Sequence, residues 1–274
     1  MAVKGPVKPT QTGLKLGVKT TEAKAPTLVP KWGAEKKVSV KDATARKIWP
    51  RPASTSVNLG LSSERTRKRM VERLMQQGIR HQRVLSAMQR VPRHRFVDEA
   101  LASRAYEDSA LPIGHSQTIS QPYVVARVIE LALQSLGPQD HPIRALEVGA
   151  GCGYQAAVMA ACFDEVISIE RIKVLYELAR SNLRPLKLSN LKLLFGDGLV
   201  AGLPTAPYDV ILLSAGMSQV PAELLAQCRV GGVLVAPLGE PEQRLTVITK
   251  HGENEFTSQA HDIVRYVPIL RGTD

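Results

Sequence analysis

The sequence predicts an α/β protein, a Rossmann-like doubly wound sheet that is mostly parallel and carries helices on both faces. Three observations predict it. Short apolar strands alternate with helical stretches from residue 144 to residue 236. A glycine-rich turn, Gly149-Ala150-Gly151-Cys152-Gly153, follows the first of these strands and opens a helix. Two late strands then follow one another with no helix between them, which predicts an antiparallel C-terminal pair. Parallel strands read as continuous apolar runs because helices cover them on both sides.

Taken in order, the chain begins with a segment of different composition. Residues 1–60 hold twelve Lys and Arg against three acids, so they carry +9 of the net +11. Six prolines (Pro6, Pro9, Pro26, Pro30, Pro50 and Pro52) interrupt any helix there. The composition offers too little apolar surface to offset chain entropy. Residues 1–60 are therefore read as a disordered basic extension, suited at most to weak, sequence-independent contact with nucleic acid. The remaining residues carry only +2 and are read as one domain, with a helical N-terminal region (61–136) and a sheet region (137–274).

Within the helical region an amphipathic stretch starts at Ser63-Glu64-Arg65-Thr66, places Met70, Leu74 and Met75 on one face, and stops near Gly78. Residues 81–88 predict a second helix, ended by Val91-Pro92, and residues 96–101 a short third. Residues 122–136 have helical apolar spacing with a broad buried face and end at Gly137-Pro138. Strands at 144–148, 165–169, 191–195, 209–213 and 232–236 then alternate with helices at 155–162, 175–183 and 221–226. Strands at 245–250 and 263–270 complete the order.

Several function classes are excluded. The longest apolar run, residues 156–163, has 8 residues, and a membrane-spanning helix needs about 20. Lys4, Lys8 and Lys15 break any apolar core of a secretory signal. Cys152, Cys162 and Cys228 are odd in number and lack metal-ligand spacing, which argues against a disulfide scaffold or a metal site and suits a reducing cytosol. The expectation is a cytoplasmic monomer without metal or membrane.

The turn after the first strand reads G-x-G-x-G, with Glu147 two residues ahead of Gly149. A helix N-terminus with unpaired N–H groups and no obstructing Cβ accepts a ligand closely. Dinucleotide enzymes use G-x-G-x-x-G to hold a pyrophosphate. The departure here favours S-adenosylmethionine, which has no phosphate, with Glu147 facing its ammonium. Glu170 closes the second strand, 21 residues after Gly149, where an acid can accept from ribose hydroxyls. Gly196-Asp197-Gly198 closes the third, where Asp197 can accept from an adenine amino group and Gly198 leaves room for the ring. Each feature alone is ordinary turn chemistry. Gly149, Gly151 and Gly153, then Glu170, then Asp197, on successive strand ends, are specific to a nucleotide-type cofactor.

These residues also carry a family resemblance. Val91-Pro92-Arg93-His94-Arg95-Phe96-Val97, Leu111-Pro112-Ile113-Gly114 and Gln117-Thr118-Ile119-Ser120-Gln121-Pro122-Tyr123 precede the glycine turn. Glu170-Arg171-Ile172, Gly196-Asp197-Gly198, Pro207-Tyr208-Asp209, Gly231-Gly232 and Val264-Arg265-Tyr266-Val267-Pro268 follow it. From about Arg69 to Arg271 the chain resembles the protein-L-isoaspartate (D-aspartate) O-methyltransferases. The resemblance implies the class I methyltransferase fold and methyl transfer from S-adenosylmethionine, with S-adenosylhomocysteine as product. It implies damaged proteins or peptides as substrates, methylated on the α-carboxylate of L-isoaspartyl and D-aspartyl residues, with repair through a methyl ester and a succinimide. It marks Ser120 as the active-site serine, Ile119 and Gln121 beside it at the cofactor, and Leu111, Pro112, Ile113, Gly114 and Val267 along the peptide channel. Cys152 stands where a serine is usual, and His115-Ser116 where Gln-Gly is common.

An α-carboxylate is ionised at pH 7, so its attack on a sulfonium methyl needs alignment rather than a general base. Ser120 can donate to one carboxylate oxygen and leave the other to react. It can equally N-cap the helix that starts near Pro122. Competing readings are an RNA methyltransferase using the basic extension, a non-catalytic member of the same fold, and an NAD-dependent dehydrogenase. Few aromatics and a near-neutral domain speak against RNA.

Overall fold

The computed structural model describes residues 57–274, with side chains from Ser63 onward; the expectation for residues 1–56 lies outside the described residues. Helix α1 (Val57–Gln76) begins inside the segment assigned to the extension. Helix α2 (Gln82–Arg90) follows. The single short helix expected at 96–101 is instead two 3-10 turns, Arg93–Phe96 and Glu99–Arg104. Asp98 separates them by capping the second turn, its Oδ1 accepting from the Ala100 N–H at 2.9 Å. The buried Arg93 guanidinium ties their far ends together, Nε donating to the Ala105 carbonyl at 2.7 Å.

A two-stranded hairpin comes next, β1 (Leu111–Gly114) and β2 (Gln117–Ile119), antiparallel around His115 and Ser116. Sequence reading placed no strand here, because the two runs are short and β1 contains a proline. Both turn residues have positive φ, +50° and +55°. Helix α3 (Pro122–Leu136) then leads to the main sheet.

The main sheet has seven strands: β3 (Arg144–Val148), β4 (Glu165–Glu170), β5 (Leu191–Phe195), β6 (Tyr208–Leu213), β7 (Cys228–Leu238), β8 (Gln243–Lys250) and β9 (Phe256–Val264). Its spatial order is β5-β4-β3-β6-β7-β8-β9. The first five are parallel; β8 and β9 are antiparallel, as expected. Helices α4 (Tyr154–Cys162), α5 (Lys173–Leu183) and α6 (Ala222–Gln227) connect them. Residues alternate between two cores, as the period of a strand requires. Ala145, Val166, Val210 and Val233 pack with buried residues of α1 to α4 on one face. Leu146, Ile167, Ile211 and Leu234 pack with Leu224 of α6 and Leu199 on the other.

The last strand departs from expectation. The apolar segment at 263–270 is not the strand; β9 runs from Phe256 to Val264 and is largely exposed. It occupies the sheet edge, where one side faces water and a polar sequence suffices. The apolar residues after it leave the sheet and cross the ends of the parallel strands. Gly216 N–H donates to the Val267 carbonyl at 2.8 Å, and Ile269 N–H to the Gly216 carbonyl at 2.9 Å.

Strand β3 pairs with both β4 and β6. The chain moves outward from β3 to β5, then returns to β6 on the other side. That reversal opens a crevice beyond the C-terminal ends of β3 and β6, the place where open α/β sheets bind ligands.

Candidate active site

Two adjoining cavities occupy this crevice. The first is lined by the turn after β3 (Gly149, Ala150, Gly151, Cys152), by Glu170, Arg171 and Ile172 after β4, by Asp197 and Gly198 after β5, and by Ser214 after β6. Ile119 and Ser120 close one side and residues 267–270 the other. The second cavity lies beyond Ser120, between Gln121, Val124 and the segment 263–267, with Gln243 behind it. Gln117, Thr118, Ser120, Ser214 and Val267 belong to both walls. Ser120 therefore stands on the partition between two ligand spaces.

The glycine turn is shaped by backbone that side chains would obstruct. Gly149, Gly151 and Gly153 all have positive φ. The Gly149 and Ala150 N–H groups both donate to the Ile169 carbonyl, at 2.9 and 3.0 Å, which anchors the turn on β4. Glu170 secures it from the same strand: Oε2 accepts from Gly151 N–H at 2.7 Å and Oε1 from Ile172 N–H at 2.9 Å. Each oxygen retains a lone pair for ribose hydroxyls. Asp197 is similarly half-engaged, accepting from Leu199 N–H at 2.9 Å and from Gly272 N–H at 2.7 Å. It thus holds residue 272 and the cavity wall just before it. Gly198 admits no side chain, since a Cβ there would lie 2.4 Å from a Val148 methyl.

Ser120 is free of the alternative role the sequence allowed. The N-cap of α3 is Gln121, whose side chain makes no cap hydrogen bond, and the first-turn N–H of Tyr123 is taken by Asp108 Oδ1 at 3.2 Å. Gln155 reaches back from α4 to donate to Ser214 Oγ at 2.9 Å, fixing a second hydroxyl of the partition. The Cys152 thiol is buried and pushed up to about 11 by that burial. It stays protonated and is no nucleophile.

Some assigned residues lie elsewhere. Glu147 is fully buried beneath the turn and lines neither cavity. Side chains on β3 alternate between faces of a covered sheet, so a position two before the turn points into protein. Gln121 lines the second cavity and not the first, because it follows the partition. Leu111, Pro112, Ile113 and Gly114 line neither. Leu111 is core, and Ile113 leans toward the glycine turn, within 3.2 Å of where a Gly151 Cβ would be. The hairpin presents its other strand, β2, to the site. Val267 lines both cavities. Sequence reasoning did not single out Ser214, Gln155 or Gln243 as site residues; a serine right after the apolar run 209–213 was the available signal for the first. Among the described residues no cluster of His, Cys, Asp and Glu could hold a metal.

The cradle fits S-adenosylmethionine: glycines without room for a Cβ, two strand-end carboxylates with spare lone pairs, and apolar walls at Ile119, Ile169, Leu175 and Leu270. Comparison with known proteins decides the family. The model for protein-L-isoaspartate(D-aspartate) O-methyltransferase matches residues 65–274. The chain belongs to that family. The protein-L-isoaspartate O-methyltransferase of Bordetella avium is 55% identical over 224 residues, covering 81% of this chain and 83% of that one. That of Aromatoleum aromaticum is 51% identical over 218 residues, 78% and 96% of the two chains. A crystal structure from Plasmodium falciparum, described as a β-aspartate methyltransferase in complex with S-adenosyl-L-homocysteine, superposes with a TM-score of 0.66 at 25% identity, covering 74% of this chain and 98% of that one. The chain is thus an S-adenosylmethionine-dependent methyltransferase with the class I fold.

Proposed function

We propose that the protein methylates the α-carboxylate of L-isoaspartyl and D-aspartyl residues in damaged proteins, starting their repair. The observation that carries the reading is Ser120 on the wall common to both cavities. One cavity has the features of a cofactor site, and the other is open enough for a peptide. When bound, S-adenosylmethionine supplies an electrophilic sulfonium methyl and leaves as S-adenosylhomocysteine. Gly149, Gly151 and Gly198 would let it approach the backbone, Glu170 would accept from its ribose hydroxyls, and Asp197 from its adenine amino group.

The acceptor carboxylate is already ionised at neutral pH, so the chain takes no proton from it. Ser120 donates one hydrogen bond to one carboxylate oxygen and leaves the other to point across the partition. Alignment of this kind replaces acid–base chemistry. Residues 267–270 close over the cofactor side, held by Gly216, Asp197 and Arg171, whose Nε donates to the Gly272 carbonyl at 2.8 Å. They keep water from the sulfonium. The methyl ester then closes to a succinimide through attack by the next backbone nitrogen, with methanol leaving. Three free, buried cysteines support a cytoplasmic setting. Among the described residues no helix is long and apolar enough to cross a membrane.

The test is transfer of radiolabelled methyl to matched peptides, one with L-isoaspartate and one with aspartate. Base-labile label appears on the isoaspartyl peptide alone; label on neither, with cofactor bound, refutes the reading. Ser120→Ala lowers kcat roughly 10- to 100-fold, the worth of one hydrogen bond to a charged group. Cofactor affinity by calorimetry stays within about two-fold. Unchanged turnover in that variant rejects the role of Ser120.

A further inference from the structure

We propose that Tyr266 is a second catalytic residue, its hydroxyl donating to the substrate carboxylate beside Ser120. The inference rests on the reaction proposed above. The Tyr266 hydroxyl oxygen is shielded from water and has no hydrogen-bond partner, although the residue lines the second cavity. Folded proteins seldom leave a buried hydroxyl unpaired, because desolvation without a partner is costly. An unpaired donor beside a ligand space is explained when the ligand completes it. Ser120 is the side chain whose hydroxyl bears on the phenol, opposing the rise that burial causes. Both residues line the same cavity.

The backbone beneath Tyr266 is fixed with unusual care for a segment outside the sheet. The Gln243 amide pairs with it in both directions. Nε2 donates to the Tyr266 carbonyl at 3.2 Å, and Oε1 accepts from Tyr266 N–H at 2.7 Å. One residue on, Val267 is bound to Gly216. Gly216 leaves the space that Gln243 fills; a Cβ there would come within 2.7 Å of the Gln243 amide carbon. Two elements far apart in sequence thus deliver two hydroxyls to one point, the β2–α3 junction and the segment after β9. A ring serving only to pack would need no hydroxyl.

The chemistry suits a carboxylate. Burial raises the phenol above its ordinary value, so it remains a donor at neutral and alkaline pH. One oxygen of the acceptor has lone pairs for both hydroxyls. A single donor lets the carboxylate pivot about that bond. Two donors from different directions fix its plane and aim the second oxygen at the methyl carbon. No proton changes owner, and the tyrosine is unchanged by turnover.

The test is Tyr266→Phe in the full chain, which removes the hydroxyl and keeps the ring. The expected result is a 10- to 100-fold fall in kcat/KM for the isoaspartyl peptide. S-adenosylmethionine affinity by calorimetry stays within about two-fold, and Tm is unchanged or raised, because no existing hydrogen bond is broken. The double variant Ser120→Ala/Tyr266→Phe loses less than the product of the two single losses, since both donors serve one carboxylate. A Tyr266→Phe enzyme within two-fold of wild type overturns the inference. So does a loss of activity matched by losses in cofactor affinity and Tm, which marks a structural residue. A wild type inactive on the peptide overturns this inference together with the reaction it rests on.

Discussion

A carboxyl shut away from water with one oxygen unpaired is held at a cost, and Glu147 is such a group. Its side chain is wholly buried, Ser168 donates to Oε2, and Oε1 has no partner. Gln155, the nearby amide, donates to Ser214 and joins Ser168 in opposing the effect of burial on Glu147. Burial dominates and pushes the carboxyl up from 4.5 to about 8, with the negative Glu170 adding to the rise. In the free protein burial therefore favours the protonated form of Glu147. The sign of the pH effect follows. Between 4.5 and about 8 the unfolded chain is ionised here and the folded chain is not. The folded state holds the extra proton, so this group makes stability fall as pH rises, by about 1.4 kcal/mol per pH unit in that window. Glu147→Gln removes the term. Chemical denaturation at pH 5.5 and 7.5 should show a smaller fall in the variant than in wild type; equal falls would mean that Glu147 is ionised in the fold.

At the scale of elements, Gly153 decides how closely α4 can lie on α5. It caps α4 with φ +87°, and a Cβ there would sit 3.0 Å from two Leu183 side-chain atoms and 3.3 Å from Ala179 Cβ. Gly153→Ala combines left-handed strain with overpacking, together worth roughly 2–4 kcal/mol. A thermal melt should show the loss even without cofactor, and a variant as stable as wild type would remove the packing argument. This glycine was legible in the sequence as part of a ligand turn, but its contact with α5 was not, because the spacing of a motif says nothing of what packs across it. The same limit explains the other elements. The parallel strands were readable because covered strands are continuous apolar runs. Strand β9 was misplaced because an edge strand is polar, whereas the apolar run after it covers a cavity. The β1–β2 hairpin was too short to show periodicity. In the site, residues announced by turns and strand ends (Gly149, Glu170, Asp197) were found. Gln243 meets Tyr266 only through a tertiary contact and carries no local signal.

Over the whole molecule, the two ends of the sheet do different work. The C-terminal ends hold the cavities. The opposite ends of β3, β6 and β7 are drawn together by Asp209, which is buried at the start of β6. Its Oδ2 accepts from Arg144 N–H of β3 at 2.8 Å, and its Oδ1 meets Arg229 Nε of β7 at 3.0 Å and His141 Nε2 at 2.9 Å. The hydrogen bond to Asp209, with a smaller one to exposed Asp140, raises the His141 pKa above 6.5 despite the nearby Arg229. The folded state therefore favours the imidazolium. Its contribution is fully present below 6.5, the unfolded value, and is lost as pH rises through the higher folded value. Arg229 keeps Asp209 paired throughout, so the loss is graded and does not expose a lone buried charge. Because the cluster sits at the end of the sheet away from the ligand spaces, His141→Ala should leave kcat and cofactor affinity unchanged. It should flatten the part of the stability profile above pH 6.5 that the imidazolium supplies. Asp209→Ala differs in pH dependence, because it strands Arg229 and lowers stability at every pH. A His141→Ala profile parallel to wild type would show that the imidazole is neutral in the fold and that Arg229 alone balances Asp209.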